Sequence, residues 1–156
     1  MEVKVDKIAT HNSPAWIDKS NFIIRADLSN HNMAGRLEQL WARKLDGTVF
    51  EICCIPFFTY GIALGDKVET DNEYTVQRVT EKAGHKTLRI AVAKKNKAAK
   101  LHEILHEWVE KKELTYEWYA VGYLAVDVTP NTHLPIDDPV LRELSESGDI
   151  SVEVDQ

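Results

Sequence analysis

Cysteine is nearly missing: the 156 residues hold two, and these are neighbours, Cys53 and Cys54. In an apolar run with strand character adjacent side chains point to opposite faces, so the two thiols are placed badly for a mutual bridge. They read as reduced, buried fillers. With no disulfide framework and no Cys-x-x-Cys pair, a reducing compartment fits best, and the chain is expected to be cytoplasmic. Long apolar runs are lacking as well. The longest, Ile52 to Phe58, is far shorter than the roughly 20 residues that cross a bilayer, which excludes a helical anchor. The opening Met1-Glu2-Val3-Lys4-Val5-Asp6-Lys7 has no apolar stretch of the kind a secretory leader needs. There is no linker rich in Ser, Gly or Pro, no repeat and no low-complexity tract. One domain, or two small tightly packed halves, is expected from the length. Chemistry with a sequence fingerprint is also missing: no glycine-rich phosphate loop, no Gly-x-Ser-x-Gly elbow and no recognisable nucleophile constellation.

What is present is an ordinary globular balance, with 44% apolar and 28% charged residues. The net charge of −6 hides a polarity along the chain. Residues 82–112 carry nine Lys or Arg against three acids, and residues 113–156 carry one Arg against ten acids. An acidic balance argues against a general nucleic-acid binder and is compatible with a basic protein partner.

Punctuation by turn residues divides the chain. Phe22–Leu28 reads as a strand, followed by a loop through Ser29–Asn32 to Gly35. A second strand, Leu37–Leu45, runs into the hairpin signal Asp46-Gly47 and returns as Thr48–Ile55, ended by Pro56. Lys67–Thr70 and Tyr74–Thr80 are further strands on either side of Asp71-Asn72. Residues 1–81 are therefore expected to form a small, bent antiparallel sheet or partial barrel. From residue 82 to 156 the pattern changes. Leu88, Ile90 and Val92 mark a strand. A helix capped by Asn96 carries a stripe of Leu101, Ile104, Leu105, Trp108 and Val109. Thr115–Tyr119 and Tyr123–Val128 are strands, Asp138-Pro139 opens a second helix, and Ile150, Val152 and Val154 alternate in a last strand. The order β-α-β-β-α-β predicts a ferredoxin-like half within an α+β protein.

Three groups of residues could carry function. His102-Glu103-Ile104-Leu105-His106 matches the HExxH pattern on a predicted helix, where residues four apart share a face as zinc ligands must, with Glu103 as base. Its flanks, Lys100 and Glu107, are charged, both histidines sit at the polar edge of the apolar stripe, and no third ligand is signalled downstream; boundary histidines on an amphipathic helix is the plainer reading. The cluster Lys94, Lys95, Lys97 and Lys100 lies where a helix start favours anions. It lacks interleaved aromatics, so a solvated or internally paired face is expected. Tyr60, Asp66 and His85 are polar groups beside tight turns that could line a pocket or satisfy local backbone groups; with Arg89 they are the candidate binding residues.

The stretch Ile55-Pro56-Phe57-Phe58-Thr59-Tyr60-Gly61, followed by Leu64-Gly65-Asp66-Lys67-Val68-Glu69, resembles the signature of a bacterial family known as domain of unknown function 4265. Leu40-Trp41-Ala42-Arg43, Gly84-His85-Lys86-Thr87-Leu88-Arg89 and Ala125-Val126-Asp127-Val128 are similar too, so the resemblance spans about residues 20–155. The chain departs from it at Val128-Thr129-Pro130, where the family often has two prolines. The HExxH segment is not part of that signature. The expected function is thus a non-enzymatic protein-binding module, in the manner of an immunity or antitoxin-like inhibitor that occludes a basic toxin with its acidic second half. A zinc-dependent hydrolase using His102, His106 and Glu103, or a small-ligand sensor, are the alternatives.

Overall fold

The computed structural model describes residues 7–133 and 135–155. The opening segment through Asp6, read above against a secretory leader, lies outside them. The protein is mixed α+β, mostly strands, with two sheets and two α-helices among the described residues.

The strands of the first half are β1 (Ile8–Ala9), β2 (Phe22–Asp27), β3 (Leu37–Asp46), β4 (Val49–Ile52), β5 (Lys67–Thr70) and β6 (Val76–Glu81). Alternation decides which side chains enter the core. In β3, Glu38, Leu40 and Ala42 point inward, whereas Leu37, Gln39 and Trp41 keep partial exposure. The sheet runs β1-β3-β4-β5-β6, and β2 takes the other edge of β3. It curls until its far part returns to β2: the Arg25 N–H donates to the Tyr74 carbonyl at 3.0 Å, and Arg25 bridges Thr75. Ile24, Ala26, Leu40, Ala42, Phe50, Ile52 and Val68 fill the concave side. Each fully buried aliphatic or aromatic side chain of this kind stabilises by about 1.5–3 kcal/mol.

The second half contains β7 (Lys86–Val92), α1 (Ala98–Lys111), β8 (Tyr116–Ala120), β9 (Tyr123–Val128), α2 (Pro139–Glu146) and β10 (Ile150–Asp155). Its sheet has the order β10-β7-β9-β8, antiparallel throughout. Leu88, Ile90, Val92, Leu124, Val126 and Ile150 face α1 and α2, meeting Leu101, Leu105, Trp108, Val109 and Leu141. The opposite parity, with Arg89, Glu117, Tyr123, Ala125 and Asp127, turns toward the first sheet. Ala9, Leu28, Ile55, Phe57, Phe58 and Leu64 pack there against Tyr123 and Ala125. The irregular segment 53–66 is therefore the filling between two sheets.

Beyond shifts of one or two residues at strand ends, three features differ from the sequence reading. β1 is too short to leave a periodic trace. β4 ends at Ile52: the Cys53 N–H still reaches the Trp41 carbonyl, but Ile55 turns its N–H to the Glu117 carboxylate. Asn96 does not cap α1. It lies in a 3-10 turn, Lys95–Lys97, that feeds into Ala98, and the N-cap Lys97 has no side-chain cap bond. Asp138 does cap α2, accepting the Val140 N–H at 2.9 Å.

Candidate functional site

Several of the buried polar side chains lie where the two sheets meet. His11 follows β1 and is buried, its ring stacked on Phe57 with centroids 4.3 Å apart. Its Nε2 lies 2.7 Å from Glu38 of β3, and its Nδ1 lies 2.7 Å from Glu117 of β8. Both carboxylates are buried, one on each sheet. Glu38 also accepts the N–H groups of Phe57, Phe58 and Thr59 and the Thr59 hydroxyl. Glu117 accepts those of Ala15 and Ile55. Burial works against a charged imidazole, yet the contributions of Cys54, Glu117 and Glu38 outweigh it, and His11 titrates well above the ordinary histidine range. Burial likewise acts to raise Glu38, but the hydrogen bond and charge of His11 hold it below the usual carboxylate value. An imidazolium with both nitrogens occupied, closed from solvent, cannot exchange protons with a substrate. It is a cross-link. Cys54 beside it is buried, and burial pushes its thiol up, away from the thiolate a nucleophile needs.

Arg89, on β7, holds the same segment from the other side. Its guanidinium donates to the carbonyls of Pro56 and Thr59 at 2.9–3.3 Å and lies 3.3 Å from Asp155. Its side chain is 2% exposed, so it is committed to the fold and closed to a ligand. Tyr60 covers it, ring centroid 5.0 Å from the guanidinium carbon, and donates its hydroxyl to Glu153 at 2.9 Å. Burial, with Glu153 close by, raises the Tyr60 phenol above its ordinary value. Of the four candidate binding residues these two come together. Asp66 stands apart and is a turn anchor: it accepts the N–H groups of Ala63 and Ala83 and pairs with Lys82 at 3.2 Å.

His85 forms a separate pair with Asp127, Nδ1 to carboxylate 2.7 Å, and abuts the edge of Trp16. Burial raises Asp127, against the lowering effect of His85. Gly65, at φ +87°, passes so close to Ala83, Trp16 and His85 that a Cβ there would meet Ala83 at 3.1 Å. A carboxylate-oriented imidazole of this kind can relay a proton when a reacting group faces it; no nucleophilic side chain is hydrogen-bonded to it among the described residues.

The HExxH histidines lie on α1 with parallel rings, 6.4 Å between centroids. His102 Nδ1 accepts the Gly122 N–H at 3.4 Å, and His106 Nδ1 accepts the Trp118 indole N–H at 3.3 Å. A ring nitrogen that accepts leaves the proton on the other, so in this arrangement both Nδ1 atoms are engaged and both Nε2 atoms carry the proton. Among the described residues no group of three or more His, Cys, Asp or Glu is arranged to hold a metal ion. Burial and the neighbouring His106 lower His102. Of the lysine cluster, Lys94 and Lys97 reach Asp149 at 2.8 and 3.7 Å, an internal pairing.

The pieces of sequence quoted for the family resemblance supply these groups: Phe57–Gly61 meets Arg89, His85 pairs with Asp127, and Asp66 anchors its own turn. A family model matches residues 38–152, which include every one of them. The chain belongs to the family described as domain of unknown function (DUF4265). Among curated proteins no sequence matches this chain. A solved structure titled as a novel crystal structure of a hypothetical protein from Neisseria gonorrhoeae is similar in fold, with a TM-score of 0.60 at 19% identity over 85% of this chain and 94% of that one. Among the described residues no helix is long and apolar enough to cross a membrane.

The DUF4265 match begins at Glu38, so His11 reaches into the family core from outside the matched stretch. His11, Glu38 and Glu117 were not among the sequence candidates. Glu38 carried a signal, a single acid in parity with Leu40 and Ala42, whereas Glu117, between Tyr116 and Trp118, falls on the face opposite those aromatics.

Proposed function

We propose that the protein is a non-enzymatic protein-binding module of the cytoplasm, acting by contact in the manner of an immunity or antitoxin-like inhibitor. The observation that supports this is saturation: the groups at the sheet junction that chemistry would use, His11, Glu38, Glu117 and Arg89, are each buried and fully engaged by other parts of the chain. Such a junction makes the two halves one rigid platform, and rigid platforms suit recognition that requires little ordering on binding. The second half is read as ferredoxin-like, supported by its strand order β10-β7-β9-β8 and by both helices packing on one face.

The acidic second half contributes less open charge than its composition implies. Glu117, Asp127, Asp138 and Asp149 are taken by His11, His85, Lys112 and Lys94, and Asp155 by Arg89. The acids of that half left to meet a basic partner are therefore fewer than the ten its sequence holds. A zinc-dependent alternative built on His102, His106 and Glu103 would have to break both Nδ1 hydrogen bonds and recruit a further ligand. The test is purification of the protein co-expressed with the products of its neighbouring genes, with mass spectrometry and metal analysis on the same sample. A stoichiometric protein partner is expected; zinc retained in the absence of any partner would overturn the reading.

A further inference from the structure

The stretch 82–112 holds nine bases and three acids, and the three acids, Glu103, Glu107 and Glu110, recur at helical spacing on one side of α1. That side overhangs β8, and between them lies an open groove of about 480 Å³. Its floor is aromatic. Trp118 lies against His102 with ring centroids 3.8 Å apart, and His106 stands edge-on to Tyr116 at 5.8 Å. The rim is acidic: Glu110 accepts the Tyr116 hydroxyl at 2.7 Å, Glu107 pairs with Lys111 at 2.8 Å, and Glu103 lines the groove beside His102. Both histidines already accept hydrogen bonds through Nδ1, which holds their rings in place as walls.

An indole face beside carboxylates is the combination that recognises a planar cation, because the ring quadrupole attracts the charge and the carboxylates fix its direction. We propose that this groove is the docking site for a basic segment of a protein partner, with an arginine guanidinium lying against the Trp118–His102 pair and held by the glutamates of α1. The inference rests on the binding-module reading and adds the chemistry of the partner: a basic peptide segment, not a nucleic acid. Lys111 is the one cation in the groove, and its bond to Glu107 is the contact an incoming arginine has to exchange.

The test uses the whole protein labelled with nitrogen-15 and titrated with a synthetic Arg-Gly-Ser repeat peptide. The same peptide with citrulline in place of arginine keeps the shape and removes the charge. Saturable shifts are expected at the Trp118 indole N–H and the amides of residues 102–110 with the arginine peptide alone, weakening as salt rises. Glu103→Lys, a change at an exposed position, is expected to weaken that binding about fivefold or more. Trp118→Ala is expected to do the same in a protein that still melts cooperatively. No saturable shift, shifts confined to other surfaces, or equal binding of the citrulline peptide would overturn the proposal. So would an isolated partner that binds Glu103→Lys and the parent equally, an outcome that leaves the binding-module reading intact; the absence of any partner together with retained zinc would overturn both.

Discussion

Replacing His11 by leucine tests the central claim about how the two sheets are held. The substitution removes the one cation between Glu38 and Glu117, each 2.7 Å from the ring and each closed from solvent. Glu38 keeps the N–H groups of Phe57, Phe58 and Thr59, and Glu117 keeps those of Ala15 and Ile55, but two carboxylates then face each other in the core without a counter-charge. Breaking a buried ion pair from one side costs about 3–5 kcal/mol, a large share of the roughly 5–15 kcal/mol that holds a domain folded. In a chain of this size that is a fall of about 6–20 °C in melting temperature. The assay is urea or thermal denaturation at neutral pH, repeated with Glu117→Gln in the His11→Leu background, where the loss should be smaller than the two single losses added. The pH dependence follows from the signs. The raised His11 makes its contribution fully present below the unfolded histidine value of about 6.5 and lost as pH climbs through the folded value. The lowered Glu38 makes its contribution present above the unfolded glutamate value of about 4.3 and lost as pH falls through the folded one. Stability should therefore be greatest between about pH 4.3 and 6.5 and decline on either side, and the decline on the alkaline side should disappear in His11→Leu. A loss below about 1 kcal/mol, within the range of an ordinary hydrogen bond, would refute the reasoning.

Arg89→Lys keeps the charge and loses the fork that reaches the Pro56 and Thr59 carbonyls, so a loss of about 1.5–3 kcal/mol is expected by chemical denaturation, with segment 56–61 losing amide-exchange protection first. Gly65→Ala combines a positive φ with a Cβ pressed on Ala83 and should cost about 2–4 kcal/mol, whereas Gly47→Ala, at positive φ in open space, should cost only about 1–2 kcal/mol. The difference between the two midpoints isolates the steric part. Added zinc should leave the melting curve of the protein unchanged, where a ligand at 100 times its dissociation constant would add about 2.7 kcal/mol, and His106→Ala, at an exposed position, should lower stability by less than about 1 kcal/mol.

How far the sequence carried depends on which interactions set each feature. Elements with a strong period or a stop residue were legible: β7 from Leu88, Ile90 and Val92, the body of α1 from its apolar stripe, and α2 from Asp138 and Pro139. The short β1 was not, because two residues have no period, and what makes them a strand is the edge that β3 offers. Asn96 had the chemistry of a cap but lost the position to a 3-10 turn, a choice made where β7 delivers the chain to α1. The junction was only half legible. Tyr60 stood out beside a tight turn and Arg89 was a candidate with it, and the two do meet, 5.0 Å apart. His11 was missed because no local pattern relates it to Glu117, 106 positions away. Acids inside apolar strands, Glu38 and Asp127, were the available clue, since a buried carboxylate obliges a partner somewhere.

That separation also orders events in time. Glu38 and its three N–H donors emerge early during synthesis, and His11 emerges before either, but the cluster cannot close until β8 has left the ribosome. Until then the first sheet carries an imidazole and a carboxylate with an open third side, facing water where the second sheet will lie. Such long-range closure makes folding slow relative to helix formation and leaves the apolar faces of Phe57 and Phe58 uncovered meanwhile. The interval before Glu117 arrives is the one in which the junction stands open.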